Sequence, residues 1–246
     1  MKQSTHLTEL NDIGTHSSFM ENLRKVAVFN DSNGADCAWW SDYRVHEEQL
    51  NSQLTVTNFC RKDTVRVVHK RDNIETVEAS MDNTNYSNDS FDFIWAANCF
   101  QKSTDPIRTL THWWNILKEN GMLVIGVPQS NYIDDLGRWQ IVNKPGEYFN
   151  WNLVNLIQTL AVCGFDCRDG HFKQKRHEQM IWAAVYKGEQ QPLDPTESSW
   201  YTLQELNLTP RTMDDSITKR GYPVFNKLKF SWLSGSKYDM EVETLP

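Results

Sequence analysis

The sequence lacks a long apolar run, a block of basic residues and any concentration of glycine. No stretch approaches the length of apolar side chains needed to span a bilayer, so a chain crossing a membrane on helices is excluded. Residues 1–19 are polar and have no apolar centre of the signal-peptide kind, so export by a signal peptide is not expected and a cytoplasmic location is. The net charge is −7, and the one basic strip, Lys173-Gln174-Lys175-Arg176, reads as a solvated loop or strand end. Duplex nucleic acid calls for a basic face, so it is not an expected partner. The five cysteines (Cys37, Cys60, Cys99, Cys163 and Cys167) are odd in number and form no C-x-x-C, which points to free, mostly buried thiols. Cys163 and Cys167 straddle Gly164, and their spacing alone makes a weak case for a disulfide or metal pair. There is no G-x-S-x-G, no phosphate-binding G-x-x-x-x-G-K-[ST], no H-E-x-x-H and no zinc-finger spacing. His171 and His177 are weak metal candidates, and no metal site is expected.

What is present is patterned. With 246 residues and 39% apolar content, the chain can bury one sizeable core and carry an appendage. Residues 25–29 (KVAVF), 54–60 (LTVTNFC) and 75–79 read as strands, residues 19–24 and 45–50 as short helices, and 65–69 as ambiguous. Residues 91–97 and 122–127 are near-continuous apolar strands, as expected where both faces of a sheet are covered. Between them, Ile107, Leu110, Trp114 and Leu117 recur at helical spacing across 106–118, and Asn120-Gly121 is expected to close that helix. A strand, a crossover helix and a second strand make a parallel βαβ unit. A further helix is predicted over 152–162, ending at Gly164, followed by a strand pair at 165–172 and 180–186.

The wording of these segments resembles the class I S-adenosylmethionine-dependent methyltransferases, in particular their type 11 branch. Asn88-Asp89-Ser90-Phe91-Asp92-Phe93-Ile94 is similar to that family's S-F-D strand, and Asp105-Pro106 to the D-P that opens its next helix. The run from Ile116 through Lys118-Glu119-Asn120-Gly121 to Ile125 is similar to its L-K-P-G-G strand entry, and Leu153, Leu156, Ile157, Leu160 and Gly164-Phe165 to its later A-G-F ending. The resemblance spans residues 23–187. It implies an α/β, Rossmann-like, doubly wound and mostly parallel sheet with a final antiparallel strand pair, plus an extended C-terminal arm. The divisions expected are a polar lead at 1–18, a methyltransferase-like domain at 19–187 and an aromatic, proline-punctuated arm at 188–246. The arm carries Trp200, Tyr201, Tyr222, Phe225, Phe230, Trp232 and Tyr238, rings that need the domain's own body or another subunit to lie against.

The resemblance also implies where S-adenosylmethionine would sit, at the carboxyl ends of the first strands. A glycine-rich turn after strand 1 corresponds to Asp31-Ser32-Asn33-Gly34-Ala35, which keeps only Gly34, although Asp31 and Asn33 tolerate left-handed turns. An acid at the end of strand 2 should accept from the ribose. The chain offers Asn58 there, without charge, and Asp63 about three residues late. An acid or amide after strand 3 should read the adenine, and Asp82 with Asn83 stands at that place. Asn98 lies in the strand-4 ending Ala97-Asn98-Cys99-Phe100-Gln101, which is neither N/D-P-P-Y nor a proline-flanked cysteine, so methylation of DNA bases is disfavoured. His112, Tyr132, Tyr148 and His171 are candidate general bases by location only, and an ordinary packing or surface role is the favoured reading of each.

Two functions follow from this reading. In the first, catalysis is lost, and the fold serves as a structural or assembly component, for example of a viral particle assembled in the cytoplasm. Its arm would then hold a protein partner or a second copy. The alternative is an active S-adenosylmethionine-dependent methyltransferase on a small-molecule or protein substrate, with residues 130–148 covering the acceptor. An open turn beside Asp82 favours the enzyme, and a crevice filled by Asn33, Phe59 or Trp39 favours the scaffold.

Overall fold

The computed structural model describes residues 25–29, 55–60, 74–129, 132–133, 139–140, 147–174, 180–209, 229–230 and 238–239. Its centre is a seven-stranded sheet in the order β3-β2-β1-β4-β5-β9-β8. The strands are β1 (Lys25–Phe29), β2 (Thr55–Cys60), β3 (Ile74–Glu78), β4 (Phe91–Ala97), β5 (Leu117–Pro128), β8 (Phe165–Gln174) and β9 (Met180–Lys187). The first five are parallel to their neighbours, whereas β9 runs antiparallel between β5 and β8. This is the mostly parallel sheet with a final antiparallel pair that the strand pattern predicts. Short hairpins β6–β7 (Tyr132–Ile133 with Trp139–Gln140) and β10–β11 (Lys229–Phe230 with Tyr238–Asp239) form separate two-stranded sheets, with β10 beside β8. The helices expected at 19–24 and 45–50, and the ambiguous 65–69, lie outside the described residues.

The one crossover helix fully described, α1 (Pro106–Ile116), starts where its sequence dictates. The Asp105 carboxylate accepts from the Arg108 amide at 3.0 Å, and Pro106, which has no N–H to leave bare, opens the first turn. The helix ends two residues before the predicted 118. Leu117 turns extended (φ −78°, ψ 134°) and pairs with Phe91 across the sheet, so β5 claims the residues expected to finish the helix. Asn120 (φ +59°) and Gly121 therefore bend a long strand and do not cap a helix. A Cβ on Gly121 would come within 2.8 Å of the Lys118 carbonyl oxygen. The helix α2 (Leu153–Val162) opens on a capping box between Asn152 and Asn155 and stops before Gly164 (φ +87°). There the Trp114 indole N–H donates to the Gly164 carbonyl at 2.9 Å.

Both faces of the central strands are buried. One face gathers Ala27, Phe29, Ile94, Ala96, Leu123 and Ile125 with Trp113, Trp114, Leu156 and Leu160 into a single apolar cluster. Trp113 and Trp114 are therefore core residues, as their place on the helix predicts. On the other face, Trp95 packs on Trp182 at 5.4 Å between ring centres, directly over Gly126, which is opposite Trp182 in the β5–β9 register. The core does not stop at residue 187. The short helix α3 (Trp200–Glu205) and the turn after it bring Trp200, Leu203 and Leu208 into the same cluster, and the Leu193 amide donates to the Val162 carbonyl at 2.8 Å. Thus part of the aromatic C-terminal segment lies against the domain's own body. Lys187 ties the start of β5 to β9. Its ammonium donates to the Leu117 carbonyl at 2.7 Å and to Asp89 at 2.8 Å, and lies 4.3 Å from the centre of the Trp114 ring.

Cys99, Cys163 and Cys167 are free and buried. No disulfide joins Cys163 to Cys167, because each thiol points to a carbonyl instead: Ile107 for Cys163 and Ile157 for Cys167, both at 3.7 Å. Burial pushes the Cys163 thiol up to about 12 and that of Cys167 well above the ordinary range. Among the described residues, no group of histidines, cysteines and carboxylates is placed to hold a metal, and no helix is long and apolar enough to cross a membrane.

Two outcomes are expected from this core. Gly126→Ala should destabilise the protein by about 1–3 kcal/mol in urea unfolding, because the new methyl carbon would stand 2.7 Å from the Trp182 ring. Cys163 should resist iodoacetamide at pH 8, where its raised pKa leaves on the order of one thiolate in 10,000. Peptide mass mapping should find it alkylated only after denaturation.

Candidate functional site

The order of the sheet reverses between β1 and β4, and in an open α/β sheet ligands bind outside the carboxyl ends of the strands at such a point. The turn that follows β1, with Asp31, Asn33 and Gly34, lies outside the described residues, as does Trp39. Asn58 sits near the end of β2, its backbone in register with Val28 and Thr76. The residue after it decides much of the local geometry. Phe59 is buried and stacks on Phe29, the last residue of β1, at 4.9 Å. Phe29 in turn stacks on Trp113 of α1 at 4.7 Å. Tyr86 and Phe91 meet the Phe59 ring edge-on at 5.4 and 5.9 Å. Phe29, Phe59 and Trp113 thus pack as a row of rings beside the ends of β1 and β2.

The loop after β3 carries Asp82 and Asn83. It is held by α1 at three places. The Trp113 indole N–H donates to the Met81 carbonyl at 2.8 Å, Arg108 pairs with the Asp82 carboxylate at 3.3 Å, and the Thr84 amide donates to His112 Nε2 at 3.1 Å. The other Asp82 oxygen accepts from the Ser80 hydroxyl. Asn83 closes the turn on itself: its amide donates to the Ser80 carbonyl at 3.1 Å, and its side-chain oxygen accepts from the Asn85 amide at 3.4 Å. Both oxygens of Asp82 are therefore engaged within the chain, although the carboxylate stays partly exposed.

At the end of β4, Asn98 adopts a left-handed conformation (φ +54°), and its amide donates to the Gly126 carbonyl at 2.9 Å. Its side-chain oxygen accepts from the buried Gln101 amide at 2.8 Å. The Gln101 Nε2 also approaches Glu147 Oε1, at 3.5 Å, while its own Oε1 is buried without a partner. Phe100 continues the row of rings from Trp113 (5.6 Å) to Trp151 (5.0 Å) and so to Phe149 (6.2 Å from Trp151).

The candidate bases fare differently. His112 is half-buried, and burial lowers its pKa, with the Asp82 charge opposing that shift and Arg108 adding to it. Because Nε2 accepts from a backbone amide, its lone pair is already used, and the neutral ring carries its proton on Nδ1. His112 is therefore a structural acceptor and not a base waiting for substrate. His171 pairs with Ala184 on β8, the far edge strand of the sheet, away from the carboxyl ends of β1 and β4. Tyr148 is exposed and lies beside the end of β4, its amide donating to the Gln101 carbonyl at 3.1 Å. For Tyr132 the description extends to its place in β6. The residues that sequence reasoning missed are Arg108, His112 as an anchor, and the rings of Phe29, Phe100 and Trp151. An aromatic as the last residue of the first strand, and again near the end of the second, was the available signal.

Measured against S-adenosylmethionine, the described residues fit poorly. Among the described residues of β2 there is no carboxylate to accept from two ribose hydroxyls, and the position after Asn58 is a buried phenyl ring; Asp63 lies outside the described residues. The carboxylate after β3 is present, but its oxygens already serve Ser80 and Arg108. Asn98 likewise spends its side-chain oxygen on Gln101.

Residues 34–125 match the family model described as a methyltransferase domain. No curated protein shows significant sequence similarity to the chain. Among solved structures, it is similar to the CurJ carbon methyltransferase (13% identity, TM-score 0.52, 69% of this chain and 50% of that one). It spans only half the length of that protein. It is also similar to an S-adenosylmethionine-dependent methyltransferase from Aquifex aeolicus (12% identity, TM-score 0.54, 75% of this chain and 94% of that one). A third is the [4+2]-cyclase SpnF (13% identity, TM-score 0.55, 74% of this chain and 80% of that one). At these identities the likeness is one of fold. Taken with the domain match and the sheet order, it gives the chain the Rossmann-like fold of the class I S-adenosylmethionine-dependent methyltransferases.

Proposed function

We propose that this protein keeps the methyltransferase fold as a rigid scaffold, has lost methyl transfer, and works as an assembly component. The observation that carries this reading is the state of Asp82. The single carboxylate at a cofactor-reading position among the described residues is held by Ser80 and Arg108. At the ends of β1 and β2, Phe59 and Trp113 each stack on Phe29. Fold does not fix chemistry, and one structure that resembles this chain is that of a [4+2]-cyclase. The assembly role rests on the aromatic C-terminal segment. Its part beyond residue 209 carries Tyr222, Phe225, Phe230, Trp232 and Tyr238, enough ring surface to engage a protein partner or a second copy. A viral particle is one setting that would use such an arm.

An active S-adenosylmethionine-dependent enzyme is the second reading, and one observation favours it. Arg108 is 64% exposed, so its side chain can leave Asp82 for solvent at little cost and free a carboxylate oxygen for a ligand.

The readings separate on cofactor binding. Calorimetric titration with S-adenosylhomocysteine should give no heat, and about 1 mM ligand should not move the melting temperature. A ligand bound at about 10 μM would instead add ~2.7 kcal/mol under that condition. Micromolar binding that is lost in Asp82→Ala would restore the enzyme reading. The arm is tested by truncation after residue 209, since a cut at 188 would strip Trp200, Leu203 and Leu208 from the core. The truncated chain should stay folded, losing only the contact of β10 with β8, and lose self-association or partner capture in sedimentation velocity. Unchanged assembly would count against the scaffold role of the arm.

A further inference from the structure

Three contacts from α1 fix the loop after β3, and one of them depends on protonation. The Thr84 backbone N–H donates to His112 Nε2 at 3.1 Å, and the Thr84 hydroxyl lies 3.0 Å from the same nitrogen. Thr84 is almost fully buried, so its N–H finds no water to replace a lost acceptor. A proton on Nε2 would set donor against donor. The imidazolium could still donate to the Thr84 hydroxyl, but the backbone amide would be left bare in the interior.

We infer that His112 is an acid-sensitive latch: neutral, it clamps residues 80–84 onto α1, and protonated, it releases their backbone. The charged groups that face it are Asp82 on the loop and Arg108 one turn earlier on its own helix. Asp82 favours the proton and Arg108 opposes it, while burial, the largest influence, keeps the ring neutral. The sign follows directly. The latched histidine has a lowered pKa, so the latch is fully closed above the ordinary value and weakens as the pH falls below it. Between the lowered value and about 6.5, the ratio of latched to released loop should drop about tenfold per pH unit. Because the same loop carries Asp82, acid would loosen that carboxylate whether or not the crevice holds a cofactor.

Nuclear magnetic resonance on the full chain tests this. The ring nitrogen shifts of His112 should report the Nδ1–H tautomer at neutral pH. The hydrogen-exchange protection factor of the Thr84 amide should be constant above the ordinary histidine pKa of about 6.5 and fall progressively as the pH is lowered from there to about 5. His112→Gln supplies an amide oxygen that accepts at any pH, so in that variant Thr84 protection should lose its pH dependence. Arg108→Gln removes the charge that opposes the proton and leaves Asp82 to favour it, so the latched pKa should rise toward its ordinary value and Thr84 protection should fall less on acidification. Should His112→Gln fail to fold, the tautomer and the Arg108→Gln shift still decide. Constant Thr84 protection across that range, an Nε2–H tautomer, or a His112 that titrates above its ordinary value would overturn the inference. Neither the tautomer nor the protection profile depends on cofactor affinity, so the latch and the scaffold reading can fail separately.

Discussion

Trp113 is fully buried in α1, and it touches the structure on several sides at once. Its ring stacks on Phe29 at the end of β1 and lies near Phe100 just beyond β4, while its indole N–H holds the Met81 carbonyl in the loop after β3. Through Phe29 it also reaches Phe59 in β2. The carboxyl ends of three neighbouring strands and the loop that follows a fourth element of the same sheet are thereby referred to a single side chain. Dispersion and area burial do most of this, since large rings in contact contribute more than any one polar pair on the rim. The hydrogen bond to Met81 adds direction. A smaller residue at 113 would leave the helix in place and let the strand ends drift relative to the loop.

The fold was readable because its signals are local. The apolar run 91–97 is β4 residue for residue, and Asp105-Pro106 opens α1 where a carboxylate cap and a proline belong. The end of α1 was less readable because two local signals conflicted. Asn120-Gly121 looks like a helix stop, yet the sheet offers Leu117 a partner in Phe91, and tertiary pairing wins over the stop. The first part of the C-terminal segment was readable as aromatic, and its need for a surface was clear. Which surface it takes depends on α2, about 40 residues away in sequence.

The candidate site was legible in position and not in state. Asp82 and Asn98 stand at the strand ends where the family resemblance puts them. What each one does depends on partners far along the chain, such as Arg108 for Asp82 and His112 for Thr84, and no spacing rule encodes those pairs. The scarcity of glycine has a clear structural counterpart. Five non-glycine residues take left-handed conformations among the described residues: Asn85, Asp89, Asn98, Asn120 and Asn207. All are Asn or Asp, whose short polar side chains bond locally and tolerate that region. Turns that glycine would make open are thus made with side chains that also fill the space beside them.

The place of α3 bears on how the chain is made. The central strand β5 has a neighbour on one side only until β9 exists, and the apolar cluster over α2 is not closed until Trp200, Leu203 and Leu208 arrive. Synthesis runs from the amino terminus, so the early strands must wait through most of translation with rings such as Trp114 uncovered. The late elements contact partners made much earlier, which makes closure a search over long stretches of chain and slows it. Such a nascent protein is exposed to aggregation for longer than one built from local contacts. Its last-made core residues then act as the fastening that ends the vulnerable period.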